Sequence, residues 1–349
     1  MAEKFSIDGR VIGPSAPPYL IAEMSANHGS QFDTAIRVIE EAKAAGADAI
    51  KLQSYTPDTI TLNCSDPDFQ ISDGLWAGRT LYDLYAEAHT PFDWHAPLFA
   101  HARKIGLTIF SSPFDFSAVD LLEDLGAPAY KIASFEVVDI PLIRYVAATG
   151  KPMIISTGMA SSDEIGEAVG AARAGGCKEL VILHCVSSYP APAASYNLRT
   201  IADIAKRFNT IAGLSDHTVD NYTAIASVAM GASVIEKHFT LNRQGGGPDD
   251  SFSVEPSELR ALSMGLRVAW EALGGVHYGK TPSDKGNLKY RRSLYFVSDL
   301  PTGAEIPLSA VRSVRPGFGL PPKFFNEVVG RRTTRPIRRH TPVRREDFE

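Results

Sequence analysis

Eight short apolar runs, rich in β-branched residues, recur between residues 19 and 238, and longer segments of helical period separate them. The runs are YLIAEM (19–24), DAIKLQ (48–53), LTIFSS (107–112), AYKIAS (129–134), PMIIST (152–157), LVILHC (180–185), TIAGLS (210–215) and SVIEKH (233–238). Between them lie helix signals such as the Ala-rich TAIRVIEEAKAAGA and SSDEIGEAV with its acidic first turn. Eight strand–helix alternations between residue 19 and about residue 273 match an α/β chain of the (β/α)8 TIM-barrel class in number and size. A doubly wound sheet would use fewer strands and a Gly-rich first turn, and no G-x-G-x-x-G follows the first run. The expected organisation is a barrel over 1–273, a polar Gly-rich linker over 274–292 and a small β-rich domain over 293–349. In that last part short strand-like runs, SLYFV and EVVGRR, are broken by Pro and Gly.

Charge narrows the function classes. The net charge of −5 excludes a generally basic protein that coats nucleic acid. From Val311 onward, however, ten Lys and Arg stand against four Asp and Glu, a local +6 that leaves −11 on the rest. A basic terminal module on an acidic body fits nucleic-acid binding, a cationic cap over an anionic substrate, or a solvated basic surface. With 44% hydrophobic and 21% charged residues, the composition excludes disorder, collagen and coiled coil. No stretch approaches the roughly 20 apolar residues that span a bilayer. MAEKFSIDGR lacks the basic and apolar regions of a secretory signal, so Cys64, Cys177 and Cys185 are expected as reduced thiols in the cytoplasm.

In a barrel the C-terminal strand ends face substrate. Here all eight are polar, with Glu23, Asn27, His28, Lys51, Gln53, Ser111, Ser112, Lys131, Ser134 and Glu136 on the first four. Ser156, Thr157, Ser187, Tyr189, Ser215, Asp216, His217, Glu236, Lys237 and His238 follow on the last four. His217 and His238 fall on adjacent strands, where two neutral imidazoles can hold a divalent metal with positions left open; acid–base work or plain hydrogen bonding is the alternative. Lys51 and Lys131, among Ser112, Ser134, Ser156, Ser187 and Ser215, suit a small polyanion carrying phosphate and carboxylate. A Schiff-base lysine of an aldolase is the competing chemistry. Glu23 and Glu136 are candidate acid–base groups, and Asp249 a candidate for sugar hydroxyls. Asp250 is expected to be structural, and the long segment 54–91, with Trp76, Arg79 and Tyr82, to cover substrate.

AEMSANH (22–28), KLQSYTPDTITL (51–62), YKIASFE (130–136), STGM (156–159), GLSDHT (213–218) and EKHFT (236–240) resemble the signature segments of the sialic-acid synthase family. SVRPGFGLPPKF (313–324) resembles that family's C-terminal SAF domain, related to type III antifreeze proteins. GLWAGRTLYDLY (74–85), FEVVDIPLI (135–143) and VSSYPAP (186–192) are closer to the branch of the family that forms pseudaminic acid. Ser187 stands where the sialic-acid-specific enzymes carry Asn.

The resemblance implies a cytoplasmic transferase that condenses phosphoenolpyruvate with an N-acylated amino sugar, here 2,4-diacetamido-2,4,6-trideoxy-L-altrose. Alternatives are a neuraminate or legionaminate synthase and, outside enzymes, a carbohydrate-binding protein. It assigns phosphoenolpyruvate to Lys51, Ser112, Lys131, Ser134, Ser156, Ser187 and Ser215, and manganese or magnesium to His217 and His238. Sugar or catalytic water goes to Glu23, Asn27, Gln53, Tyr189 and Asp249, and Glu136 is set near C3 of phosphoenolpyruvate. Arg315 would reach into the barrel of a second copy in a domain-swapped homodimer. Neither nucleic acid nor membrane is an expected partner, and the product would serve a surface glycan or flagellin.

Overall fold

The computed structural model describes residues 4–349, and the chain divides into two compact units, Met1–Gly274 and Gly275–Glu349. The first unit opens with a hairpin in which β1 (Phe5–Ile7) pairs antiparallel with β2 (Arg10–Ile12). The eight apolar runs then form β3 (Tyr19–Glu23), β4 (Ala49–Ser54), β5 (Thr108–Pro113) and β6 (Tyr130–Ile132). They continue as β7 (Met153–Ser156), β8 (Leu180–Cys185), β9 (Ile211–Asp216) and β10 (Val234–His238). These strands pair in sequence order, and β10 pairs in parallel with β3 to close a barrel. Helices begin where local chemistry starts them: Ser161 accepts from the Glu164 backbone N–H at 3.3 Å, Glu164 answers at 2.7 Å, and the helix Ser162–Ala174 follows.

Both faces of the barrel strands are buried, so their apolar runs are nearly continuous. Outward side chains such as Leu20, Ile50, Ile132, Ile182 and Ile235 pack under the helices. Inward ones such as Ile21, Phe110, Ile154, Leu183 and Val234 fill the barrel. Ile7 and Ile12 join the inner cluster beside Tyr19, Ile211 and Val234 at the beginnings of strands. The hairpin therefore plugs the N-terminal end of the barrel. Its three-residue strands are too short to show a period in the sequence.

The segment after β4 is not plain loop. It carries helices Pro57–Ile60 and Leu81–Ala88, the second capped by Thr80, and an isolated bridge between Gln70 and Thr80. In the second unit β11 (Ser293–Phe296) pairs antiparallel with β12 (Val311–Val314) over a small core of Leu294, Phe296, Ile306 and Val328. EVVGRR, strand-like in sequence, instead begins inside the helix Phe325–Val328, whose turn brings Phe324, Phe325 and Val328 to that core together. Residues 282–290, expected as linker, form a 3-10 helix entered through a Thr281–Asp284 capping box. Among the described residues no helix is long and apolar enough to cross a membrane.

Candidate active site

Strand parity sorts the polar ends into two groups. Glu23, Lys51, Ser112, Lys131, Ser156, Ser215 and Glu236 share the inward parity of the barrel filling. Ser54, Ser111, Asp216 and Lys237 have the outward one. The outward group is structural in its contacts: Ser54 Oγ lies 2.6 Å from Ser111 Oγ and 2.7 Å from His95 Nε2. Lys237 Nζ lies 2.8 Å from Asp216 Oδ2.

The inward group is a buried charge cluster. Lys51 Nζ is 2.6 Å from Glu23 Oε2 and donates to Ser112 Oγ at 3.1 Å. Glu236 sits between the two lysines, 3.2 Å from Lys131 Nζ and 3.9 Å from Lys51 Nζ, and accepts from Ser215 Oγ at 3.1 Å. Lys51 and Lys131 are only 3% and 2% exposed, so solvent screens little of this. Burial opposes every charge in the cluster, and the neighbours decide the outcome. Lys131 and Lys51 overcome burial at Glu236 and hold it well below the usual carboxylate range. Burial wins at Glu23 and pushes its carboxyl up to about 7, although Lys51 opposes it. At Lys51 the two carboxylates outweigh burial and raise its pKa, whereas burial lowers that of Lys131. Near neutral pH Glu236 is thus a carboxylate between the two lysines, while Glu23 stands close to its own titration.

Around this cluster stand polar groups without protein partners. Ser156 Oγ is buried and unpaired, as is Glu136 Oε2. Burial raises the Glu136 carboxyl to about 7. Ser134 Oγ and Ser187 Oγ lie 2.8 Å apart beneath Gly158. At φ +51°, a Cβ on Gly158 would come within 2.7 Å of the Ser134 Cβ and 2.8 Å of Ser187 Oγ, so only glycine lets this backbone approach the hydroxyl pair.

The two imidazoles lie above, with ring centroids 5.4 Å apart. His217 Nδ1 lies 2.8 Å from the Val186 carbonyl, which fixes the proton there and leaves the Nε2 lone pair. His238 Nδ1 is buried without a partner. Burial lowers His217 to about 4 and His238 well below its ordinary value, so both rings are neutral at pH 7. Two neutral imidazoles with an orphaned buried nitrogen fit a divalent cation. No group of three His, Cys, Asp or Glu suited to a metal occurs among the described residues, so other ligands would be water or substrate. Tyr189 packs on His217 at 4.3 Å between centroids and meets Trp76 of the inserted segment at 6.0 Å. Trp76 Nε1 also donates to the Pro248 carbonyl at 3.0 Å.

Other expected site residues have different surroundings. Gln53 Nε2 donates to Glu23 Oε1 and to Ser25 Oγ, both at 2.9 Å, and Ser25 Oγ bonds Asp249. Asp249 thus joins the Glu23 network, and burial raises its pKa. Asn27 spends both amide protons on the Phe239 carbonyl (2.9 Å) and Ser253 Oγ (2.8 Å), so only its carbonyl oxygen is left for a ligand. Asp250 accepts from Thr240 Oγ1 at 2.5 Å and Gly247 N at 2.8 Å and serves its own loop. Arg315 lies in the second unit, exposed and without a side-chain bond among the described residues. Two participants had no role assigned from the sequence: Glu236, named only as a polar strand end, and Ser25, not singled out at all. The clue for Glu236 was a carboxylate inside an apolar run, and nothing local marked Ser25 beyond its place in AEMSANH.

Residues 38–278 match the NeuB family and residues 291–349 the SAF domain. The pseudaminic acid synthase of Campylobacter jejuni subsp. jejuni serotype O:2 is 41% identical over 334 residues, 95% of this chain and 96% of that protein. The N,N'-diacetyllegionaminic acid synthase of the same organism is 32% identical over 320 residues, 90% of this chain and 96% of that one. Among solved structures, the N-acetylneuraminic acid synthetase of Leptospira borgpetersenii serovar Hardjo-bovis, in complex with citrate, superimposes with a TM-score of 0.74 at 30% identity. It covers 83% of this chain and 97% of its own.

Proposed function

The chain belongs to the NeuB family, and we propose that it is a transferase condensing phosphoenolpyruvate with 2,4-diacetamido-2,4,6-trideoxy-L-altrose and water to give pseudaminic acid and phosphate. The observation that carries this reading is the buried Lys51–Lys131 pair, ringed by unpaired hydroxyl and carboxyl groups, beside two neutral imidazoles. The choice of sugar rests on the greater identity to the pseudaminic acid synthase than to the legionaminic one, 41% against 32%, and on Ser187 with the Trp76 segment. A carbohydrate-binding protein would have no use for a desolvated charge cluster of this kind.

In this mechanism Lys51 and Lys131 hold the phosphate and carboxylate of phosphoenolpyruvate, and Ser112, Ser134, Ser156, Ser187 and Ser215 orient it. C3 of phosphoenolpyruvate adds to the aldehyde carbon of the open-chain sugar, and water adds at C2. Collapse then breaks the C2–O bond and releases phosphate. His217 and His238 would hold manganese or magnesium, which supplies Lewis-acid polarisation of the aldehyde oxygen when bound. Glu23, held by Lys51 and Gln53, takes the proton of the attacking water; a carboxyl near 7 is matched to that work. Glu136 sits beside the reacting C3, and Tyr189, Asn27 and Asp249 line the sugar side. Arg315 completes the mouth of a second copy's barrel in a domain-swapped homodimer. Mixing Arg315→Ala with Lys131→Met subunits is then expected to recover part of the turnover that each variant lacks alone, and no recovery would remove the shared site.

The test is phosphate release from phosphoenolpyruvate with manganese, using the diacetamido altrose and N-acetylmannosamine side by side. Release with the altrose alone, lost on chelation, is expected. Release with N-acetylmannosamine alone would overturn the sugar assignment, and borohydride trapping with pyruvate would overturn the chemistry in favour of a Schiff base.

A further inference from the structure

Lys237 lies between two site residues, Glu236 and His238, yet the proposed reaction gives it no task. Its parity turns it out of the barrel, into the layer under the helices, where it is 1% exposed and Asp216 is fully buried. There the ammonium is saturated. It donates to Asp216 Oδ2 at 2.8 Å, to the Asp220 carbonyl at 2.7 Å and to the Thr218 carbonyl at 2.5 Å, which uses all three of its protons. Asp216 in turn accepts from Thr218 N at 3.0 Å, and the one Thr218 hydroxyl proton lies between Asp216 Oδ2 at 3.1 Å and the Asp220 carbonyl at 3.0 Å.

The chain from Asp216 to Asp220 is therefore wrapped around one ammonium, and His217 lies inside the wrap. Asp216 and Lys237 are also register partners between β9 and β10, so the same contact ties together the two strand ends that carry His217 and His238. A buried pair of this kind is a poor source of stability, because desolvating both charges offsets their attraction, and an apolar pair of the same shape often does as well. What an apolar pair cannot do is hold two backbone carbonyls at fixed positions.

We propose that Lys237 is a positioning residue for the two-histidine cation site: by gathering Asp216 and the carbonyls of Thr218 and Asp220 it sets where His217 stands relative to His238. This rests on the two-histidine reading above. Loss of the ammonium frees the 216–220 loop and lets the imidazoles drift, while the Lys51–Lys131 anion cluster on the inner face keeps its own contacts.

The experiment measures manganese binding directly on the full chain, without substrate, from the loss of the free Mn2+ electron paramagnetic resonance signal. Lys237→Met is expected to weaken binding by about tenfold or more, the range for groups that orient metal ligands. The KM for phosphoenolpyruvate at saturating metal should change less than twofold. Asp216→Asn/Lys237→Met removes both charges; it is expected to restore the melting temperature but not the manganese affinity, which separates positioning from stability. Thr218→Val, a small change that keeps the pair, is expected to fall between wild type and Lys237→Met and serves if that variant does not fold. Manganese affinity of the folded variants within twofold of wild type would overturn the inference alone. Failure of the unmodified protein to bind manganese would overturn the two-histidine reading and this inference with it.

Discussion

The two ends of the barrel are built from the same eight strands and obey the same parity, yet they have opposite interiors. Where the strands begin, the inside is Tyr19, Ala49, Ile211 and Val234, closed by Ile7 and Ile12 of the hairpin. Where they end, it is Glu23, Lys51, Lys131, Ser215 and Glu236. The first end is stabilised by apolar burial, at about 1.5–3 kcal/mol for a fully buried Ile or Val. The second costs desolvation at every charge and is kept only by mutual pairing. The difference shows how stability and chemistry are divided along a strand a few residues long.

Replacing one partner of the charge cluster tests this division most severely. Lys131→Met removes an anion contact and strands Glu236, so phosphate release should fall by about a thousandfold, and the melting temperature should fall as well. Adding Glu236→Gln is expected to return the melting temperature without the activity; recovery of both would mean the cluster is structural. His217→Ala should lower turnover by about a thousandfold, the equivalent of roughly 4 kcal/mol, with little change in melting temperature. Turnover that survives chelation in this variant would sink the cation role.

At the opposite end the pattern should invert. Ile12→Ala is expected to lose about 2–5 kcal/mol of stability in denaturant titration, with kcat within twofold of wild type. A kcat that fell in step with stability would show that the two ends are not separable. The smallest effect belongs to Glu136. Its carboxyl is raised to about 7 by burial, so the native state holds a proton that the unfolded chain has released. The stability this contributes is present below the ordinary carboxylate value and lost as pH rises through about 7. Glu136→Gln should therefore gain on wild type between pH 5 and pH 8, by about 2–4 °C in melting temperature. A difference that does not vary with pH would place this carboxyl in water.

Strand number, strand order and the polar character of the C-terminal ends were legible because they are local. Each apolar run differs from its strand by no more than two residues at either end. The acidic first turn of SSDEIGEAV marked its helix for the same reason. EVVGRR misled because a short run of β-branched residues has no period of its own, and the small core around Val328 decided its conformation. The N-terminal hairpin was invisible because three residues do not make a pattern.

Phase was not legible either. Lys131 lies between Tyr130 and Ile132 and Lys237 between Glu236 and His238, and neither setting tells which face of its strand the lysine takes. A strand with one wet face would have shown its phase by alternation; these strands are buried on both faces, so their sequences do not alternate. Sequence by itself therefore determined that this chain is an eight-stranded barrel with charge at the ends of its strands. Which charges meet inside, Lys51 and Lys131 about Glu236, and which are turned outward, Lys237 against Asp216, only the tertiary structure decided. That choice depends on how eight strands register as they close on one another, a property of all the strands together and of no single run.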